Sequence, residues 1–176
     1  LFPYTTLFRS FHNVYGFNMV RASRDGLLLA NPNKRPFVLS RSNFLGGHRY
    51  AATWAGDNKS TWEQFEASVP MSLTLGLSGQ PFNGPDIGGF VGSTHANLLA
   101  HWTALGVYFP FVRNHTTENS VAQEPWAFDQ QTLDICRTAI NRRYRLMPYI
   151  YTLFEEASVN GMPVMRPAFM LDAKNP

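Results

Sequence analysis

Along this chain, short apolar runs that stop at polar clusters alternate with longer stretches whose apolar residues recur at helical spacing. Val14, Phe17 and Val20 predict a helix from His12 to about Leu29 with one apolar face on a sheet, weakened by Gly16 and bent near its end at Asp25-Gly26. Asn31-Pro32-Asn33 is a loop. A buried strand is expected over residues 36 to 40, then a loop with paired glycines from Phe44 to Arg49, then a strand from Tyr50 to Trp54. Ser60 with Glu63, or Thr61 with Gln64, has capping-box spacing, so a helix should run from about Trp62 into the Leu73 to Leu77 region, kinked at Pro70. Gly79 closes that segment, and Pro81 to Asn83 begins a short strand toward Asp86.

The second half repeats the plan. Leu98, Leu99, Trp102 and Leu105 share one face of a helix expected from about Thr94 to Leu105, followed by a strand from Tyr108 to Val112. After a polar loop over residues 116 to 127, a long helix carries Leu133, Cys136, Ile140, Leu146, Ile150 and Leu153 inward, with a kink at Pro148 and a stop at Gly161. Met162 to Leu171 is apolar and reads as extended. Strand and helix in alternation predict parallel βα units, an α/β fold. The 176 residues suffice for one domain, but a complete (β/α)8 barrel needs about 250, so a barrel reading makes this part of one.

In parallel α/β proteins the groups at the carboxyl ends of successive strands converge on one face. Arg41, Asp57 and Asp86 each follow an apolar run and are expected in a single pocket. Gly84, Gly88, Gly89 and Gly92 crowd around Asp86 and Phe90, where they permit tight turns and close approach to a ligand. No Gly-Lys-Ser/Thr helix start follows, so this is no phosphate cradle.

Charge and composition remove other classes. Charged residues are 15% of the chain against roughly 25% in soluble domains, and the formal net charge of +3 is thinly scattered. Only Arg142, Arg143 and Arg145 cluster, so a nucleic-acid surface is not expected. The single Cys136 reads as a small core residue, no apolar run is long enough to span a membrane, and His48, His95 and His101 share no metal-site spacing with acidic residues.

The stretch from Arg35 to Phe90, RPFVLSRSNFLGGHRYAATWAGDN through GQPFNGPDIGGF, resembles glycoside hydrolase family 31, the α-glucosidase family. LGVYFPFVRNH, EPW and RYRLMPYIYTLF follow in the family's order, and the resemblance runs from about residue 11 to the C-terminus. It implies a partial (β/α)8 TIM barrel, about strands five to eight with their helices over residues 11 to 161, and the start of a C-terminal β domain over 162 to 176. Leu1 to Ser10 fits no family block and is expected to be a non-native leader, with the natural chain extending upstream.

By the same resemblance Asp57 is the general acid/base, Asp86, Arg41 and His115 bind sugar hydroxyls, and Trp54 and Phe90 wall the sugar's apolar face. Each position also has a plainer reading: an aspartate near a helix start for Asp57, core packing for the two aromatics, a structural hydrogen bond for His115. Burial beside Trp54 is expected to help Asp57 hold its proton. The family's nucleophile, an aspartate in a Trp-x-Asp-Met-Asn-Glu stretch, is absent from residues 1 to 176. The resemblance therefore implies a fragment of a retaining α-glucosidase acting on α-linked oligosaccharides without metal or organic cofactor, inactive alone. α-Xylosidase, α-glucosyl transfer and a non-catalytic sugar-binding relative are the alternatives. Half a barrel leaves strand edges and apolar faces uncovered, so association is expected. Oligomeric state stays open, as does compartment, since bacterial relatives occur in both cytoplasm and periplasm. Asn58-Lys59-Ser60 and Asn114-His115-Thr116 match the glycosylation pattern by chance on this reading.

Overall fold

A computed structural model describes residues 4–172, and the chain divides into two compact units, one through Thr53 and the other from Trp54. The first is built on helix α1 (Tyr4–Ala30), which runs straight through the expected bend at Asp25-Gly26. Of the proposed leader, Leu1 to Pro3 lie outside the described residues. Val20 is buried, and Phe17 packs edge-on against Tyr50 at 5.5 Å. Strand β1 (Leu39–Ser40) pairs in parallel with β2 (Ala52–Trp54), Leu39 opposite Ala52 and Ser40 opposite Thr53. Both are shorter than their apolar runs. Tyr50 and Ala51 direct their amides to the Gly47 carbonyl in a turn, which withholds them from a ladder.

In the second unit, α2 (Trp62–Leu77) begins where the capping pattern says it should: the Thr61 side chain accepts the Gln64 amide, and Pro70 lies inside the helix. Strands β3 (Asn83–Gly84) and β4 (Asp86–Ile87) follow, and the Ala55 amide donates to the Gly84 carbonyl. Helix α3 (Ala96–Gly106) is capped by the His95 ring and buries Leu98, Leu99 and Trp102 against Ile87, with Phe65, Val112 and Phe128 around them. Gly106 lets α3 lie on β4, because a Cβ there would come 2.4 Å from Ile87 Cδ1.

The expected strand from Tyr108 to Val112 is displaced to β5 (Arg113–Asn114), parallel to β4. Arg143, on the last long helix, is the reason: its guanidinium takes the carbonyls of Val107, Phe109 and Pro110, which a ladder would otherwise need. Helix α4 (Gln130–Asn160) starts at an Asp129 cap and ends at Gly161, whose φ of 73° suits a residue without a side chain. Its inward stripe is Thr132, Cys136, Ala139, Arg143, Leu146, Ile150 and Leu153, a regular four-three alternation. Ile140 is one position off that stripe and 42% exposed, a correction to the expected face. Residues 168–170 form a short 3₁₀ turn instead of continuing extended, and no described segment pairs with residues 162 to 167. Among the described residues the fold is α/β with short parallel strand pairs and no closed barrel.

Gly16 shows why propensity alone misleads. A Cβ at this helical position would sit 2.6 Å from the Ser42 carbonyl oxygen, beside Arg41. Gly→Ala in a helix ordinarily stabilises by about 0.5–1 kcal/mol. Here the overpacking, about 1–3 kcal/mol, should win, and Gly16→Ala should lower the urea midpoint. A raised midpoint would show that the residue 41–43 loop yields freely.

Candidate active site

The site is assembled from the loops that follow β2, β4 and β5. Asp86 opens β4 with its side chain fully buried. Arg113, at the start of β5, donates both Nε (2.8 Å) and an Nη (2.6 Å) to the same carboxylate oxygen, Oδ1. The parallel register places the two residues opposite each other. Oδ2 is buried and accepts no hydrogen bond among the described residues. That leaves one strong acceptor pre-oriented and unsatisfied, a condition that a ligand hydroxyl relieves.

Burial pushes the Asp86 carboxyl above the usual range, with the Asp57 charge adding to the rise, while the Arg113 hydrogen bonds and the charges of Arg113 and His115 oppose it. The Asp86 carboxyl thus feels Arg113, His115 and Asp57. The guanidinium of Arg113 also lies over the Trp54 ring at 4.9 Å and near Phe111 at 5.7 Å. Trp54 therefore faces a cation, and Asp57 is exposed instead of buried beside it, which corrects the expected environment of that carboxyl. Phe90 and His115 are stacked, centroids 5.0 Å apart with 20° between planes.

Glycines bring the loops together. Gly89, at φ 88°, could carry no side chain, because a Cβ would lie 2.5 Å from the Ser60 backbone. Asn58 is buried; its Nδ2 donates to the Asp86 carbonyl (2.9 Å), and its Oδ1 accepts the Phe90 amide (3.2 Å). The nitrogen that a glycan would need is thus engaged. Gln123, also buried, donates to the Ile87 carbonyl and to Asn114 Oδ1, tying the residue 116–127 loop to β4 and β5. A cavity of about 600 Å³ lined in part by His115, Thr117, Glu124 and Trp126 opens alongside.

Of the residues expected at the site, Trp54, Asp57, Asp86, Phe90 and His115 lie in one unit and converge as described. Arg41 belongs to the other unit, exposed just past β1. Sequence reasoning passed over Arg113, Asn58 and Gln123. Arg113 carried the same signal as Asp86, a polar residue closing an apolar run, but its role as Asp86's partner depends on β4–β5 register. Among the described residues no three or more His, Cys, Asp or Glu group as a metal site, and no helix is long and apolar enough to cross a membrane.

Residues 3–153 match the model of the glycosyl hydrolases family 31 TIM-barrel domain. The chain is 48% identical over 163 residues to a probable glucan 1,3-alpha-glucosidase of Oryza sativa, covering 92% of this chain and 18% of the relative. It is 48% identical over 161 residues to alpha-glucosidase 2 of Bacillus thermoamyloliquefaciens, covering 92% and 20%. Among solved structures, a family 31 alpha-glucosidase from Bacteroides thetaiotaomicron superposes with a TM-score of 0.91 at 58% identity, over 95% of this chain and 28% of the other. The glucosidase II alpha subunit bound to Glc1Man2 gives 0.89 at 37% identity, over 94% and 18%. The chain thus spans about a fifth of the length of these curated relatives.

Removing Arg113 tests the pairing. Arg113→Met strips Asp86 of its hydrogen bonds and countercharge, so stability should fall by about 3–5 kcal/mol near neutral pH. A carboxyl whose folded pKa is raised above its unfolded value contributes stability at low pH and loses it as pH rises through the folded pKa. The variant's deficit should therefore shrink in acid and widen toward neutrality in paired urea melts; a deficit flat with pH would disprove the coupling.

Proposed function

The chain belongs to glycosyl hydrolase family 31, and on that premise we propose that it forms the second half of a catalytic (β/α)8 barrel, about strands five to eight, of a retaining α-glucosidase. The observation that carries this reading is the buried Asp86 carboxylate, held on one oxygen by Arg113 and without a hydrogen bond on the other, with Asp57, Phe90 and His115 around it. Such a group suits the hydroxyls of a terminal α-linked glucose. Trp54 and Phe90 suit the sugar's apolar face, and His115 suits a further hydroxyl.

Retaining hydrolysis needs two carboxyl groups about 5–5.5 Å apart. In the first step a carboxylate attacks the anomeric carbon, the glycosidic C–O bond breaks, and the Asp57 carboxyl gives its proton to the departing oxygen. Asp57, now a carboxylate, then takes a proton from water as the hydroxyl bonds to the anomeric carbon and the glycosyl ester breaks, restoring both groups. The attacking aspartate is expected on the preceding barrel strand, outside residues 1 to 176. No metal or organic cofactor enters either step.

In the full-length protein, Asp57→Ala should lower kcat on maltose by on the order of 10²–10⁴, and proton NMR of the wild-type reaction should show α-glucose appearing before mutarotation. First release of β-glucose would reject the retaining mechanism. The 176-residue chain by itself should release no glucose from maltose, since it supplies one carboxyl of the pair; measurable release would reject the assignment of the nucleophile to another segment.

A further inference from the structure

We propose that Asn58 is a positioning residue, holding the Asp57 carboxyl in register with the Asp86–Phe90 wall of the sugar site; the inference rests on the α-glucosidase reading. Asn58 directly follows Asp57, so anything that fixes Asn58 fixes the backbone from which the proton donor projects. Its side chain has one donor and one acceptor in use, each on a different part of that wall: Nδ2 on the Asp86 carbonyl at 2.9 Å and Oδ1 under the Phe90 amide at 3.2 Å. From Asp86 the connection continues to Arg113, and from Phe90 it continues through its carbonyl to the Thr117 amide (3.1 Å) and its ring to His115. One buried amide therefore joins the proton donor's loop to the other sugar-facing elements of this unit.

The arrangement separates positioning from folding. The Asn58 backbone carbonyl also accepts the amides of Phe90 (2.8 Å) and Val91 (2.9 Å), and the Ser60 amide donates to the Val91 carbonyl (3.0 Å). The Asp86 carbonyl also accepts the Gly89 amide at 3.2 Å. Each main-chain group that the side chain touches thus has a second partner that no substitution at residue 58 removes. Losing the side chain should leave the loops attached and their register slack, and a displacement of about 1 Å costs a catalytic group on the order of 10²-fold.

The readout is the dependence on leaving group. Maltose must receive a proton at its departing oxygen, whereas p-nitrophenol leaves from an aryl α-glucoside with little help. In the full-length protein Asn58→Ala should lower kcat/KM, which reports only the step that expels the leaving group, at least tenfold more on maltose than on p-nitrophenyl α-glucoside, in the direction set by Asp57→Ala. Asn58→Ser, which fills part of the space and keeps a donor, should fall between, and it serves as the test if the alanine variant does not fold. Equal losses on the two substrates, or none, would overturn the positioning role while leaving the α-glucosidase reading intact. A wild-type protein that cleaves neither substrate would overturn that reading and this inference with it.

Discussion

A carboxylate with no exposure to water is held in this structure by a single arginine, and the second unit is arranged to make that tolerable. Burial raises the Asp86 carboxyl and the Arg113 fork opposes that rise, while Arg113 is itself placed by the Trp54 and Phe111 rings and by its position opposite Asp86 on β5. Since an ion pair of this kind repays desolvation only with good geometry and further hydrogen bonds, the strands carrying the two residues must be pinned. The Ile87–Leu98–Leu99–Trp102 cluster pins β4 from the α3 side, and Gln123 bridges β4 to β5. The pair nevertheless leaves Oδ2 buried without a hydrogen bond, which is where the fold gives up stability.

Helix α4 works toward the same end from a distance. Arg143 occupies a position in the helix's inward stripe where an apolar residue would be expected, and burial lowers its pKa, yet it is held by three carbonyls of the turn leading into β5. A half-buried cation on the helix thereby takes up the carbonyls that precede β5. The close approach of Gly89 to the Ser60 backbone completes the enclosure from the other loop.

Much of the fold was legible along the chain because its causes are local. Capping at Thr61 and Asp129, the helical spacing of α1 to α4 and the left-handed stop at Gly161 each depend on residues within a turn or two. The apolar runs were harder to read. They mark which residues are buried, but a strand exists only where a partner accepts its amides, and Tyr50, Ala51 and the Val107 to Pro110 turn have other partners. The face of α4 was off by one position at Ile140 for a related reason: the true stripe includes a charged residue that a hydrophobicity pattern skips.

The chemistry divides the same way. The sequence by itself determined the family, the order of the βα units and the identity of Asp57, Asp86, Phe90 and His115 as residues to examine, since these are properties of residue type and spacing. Tertiary structure decided what each of them experiences. It made Asp86 the carboxyl raised by burial and left Asp57 exposed, it turned Arg113 from a strand-end residue into the partner of Asp86, and it gave Asn58 its place linking two loops. Desolvation, register and hydrogen-bond partnership are relations between residues about 30 positions apart, and no reading of one stretch of chain contains them.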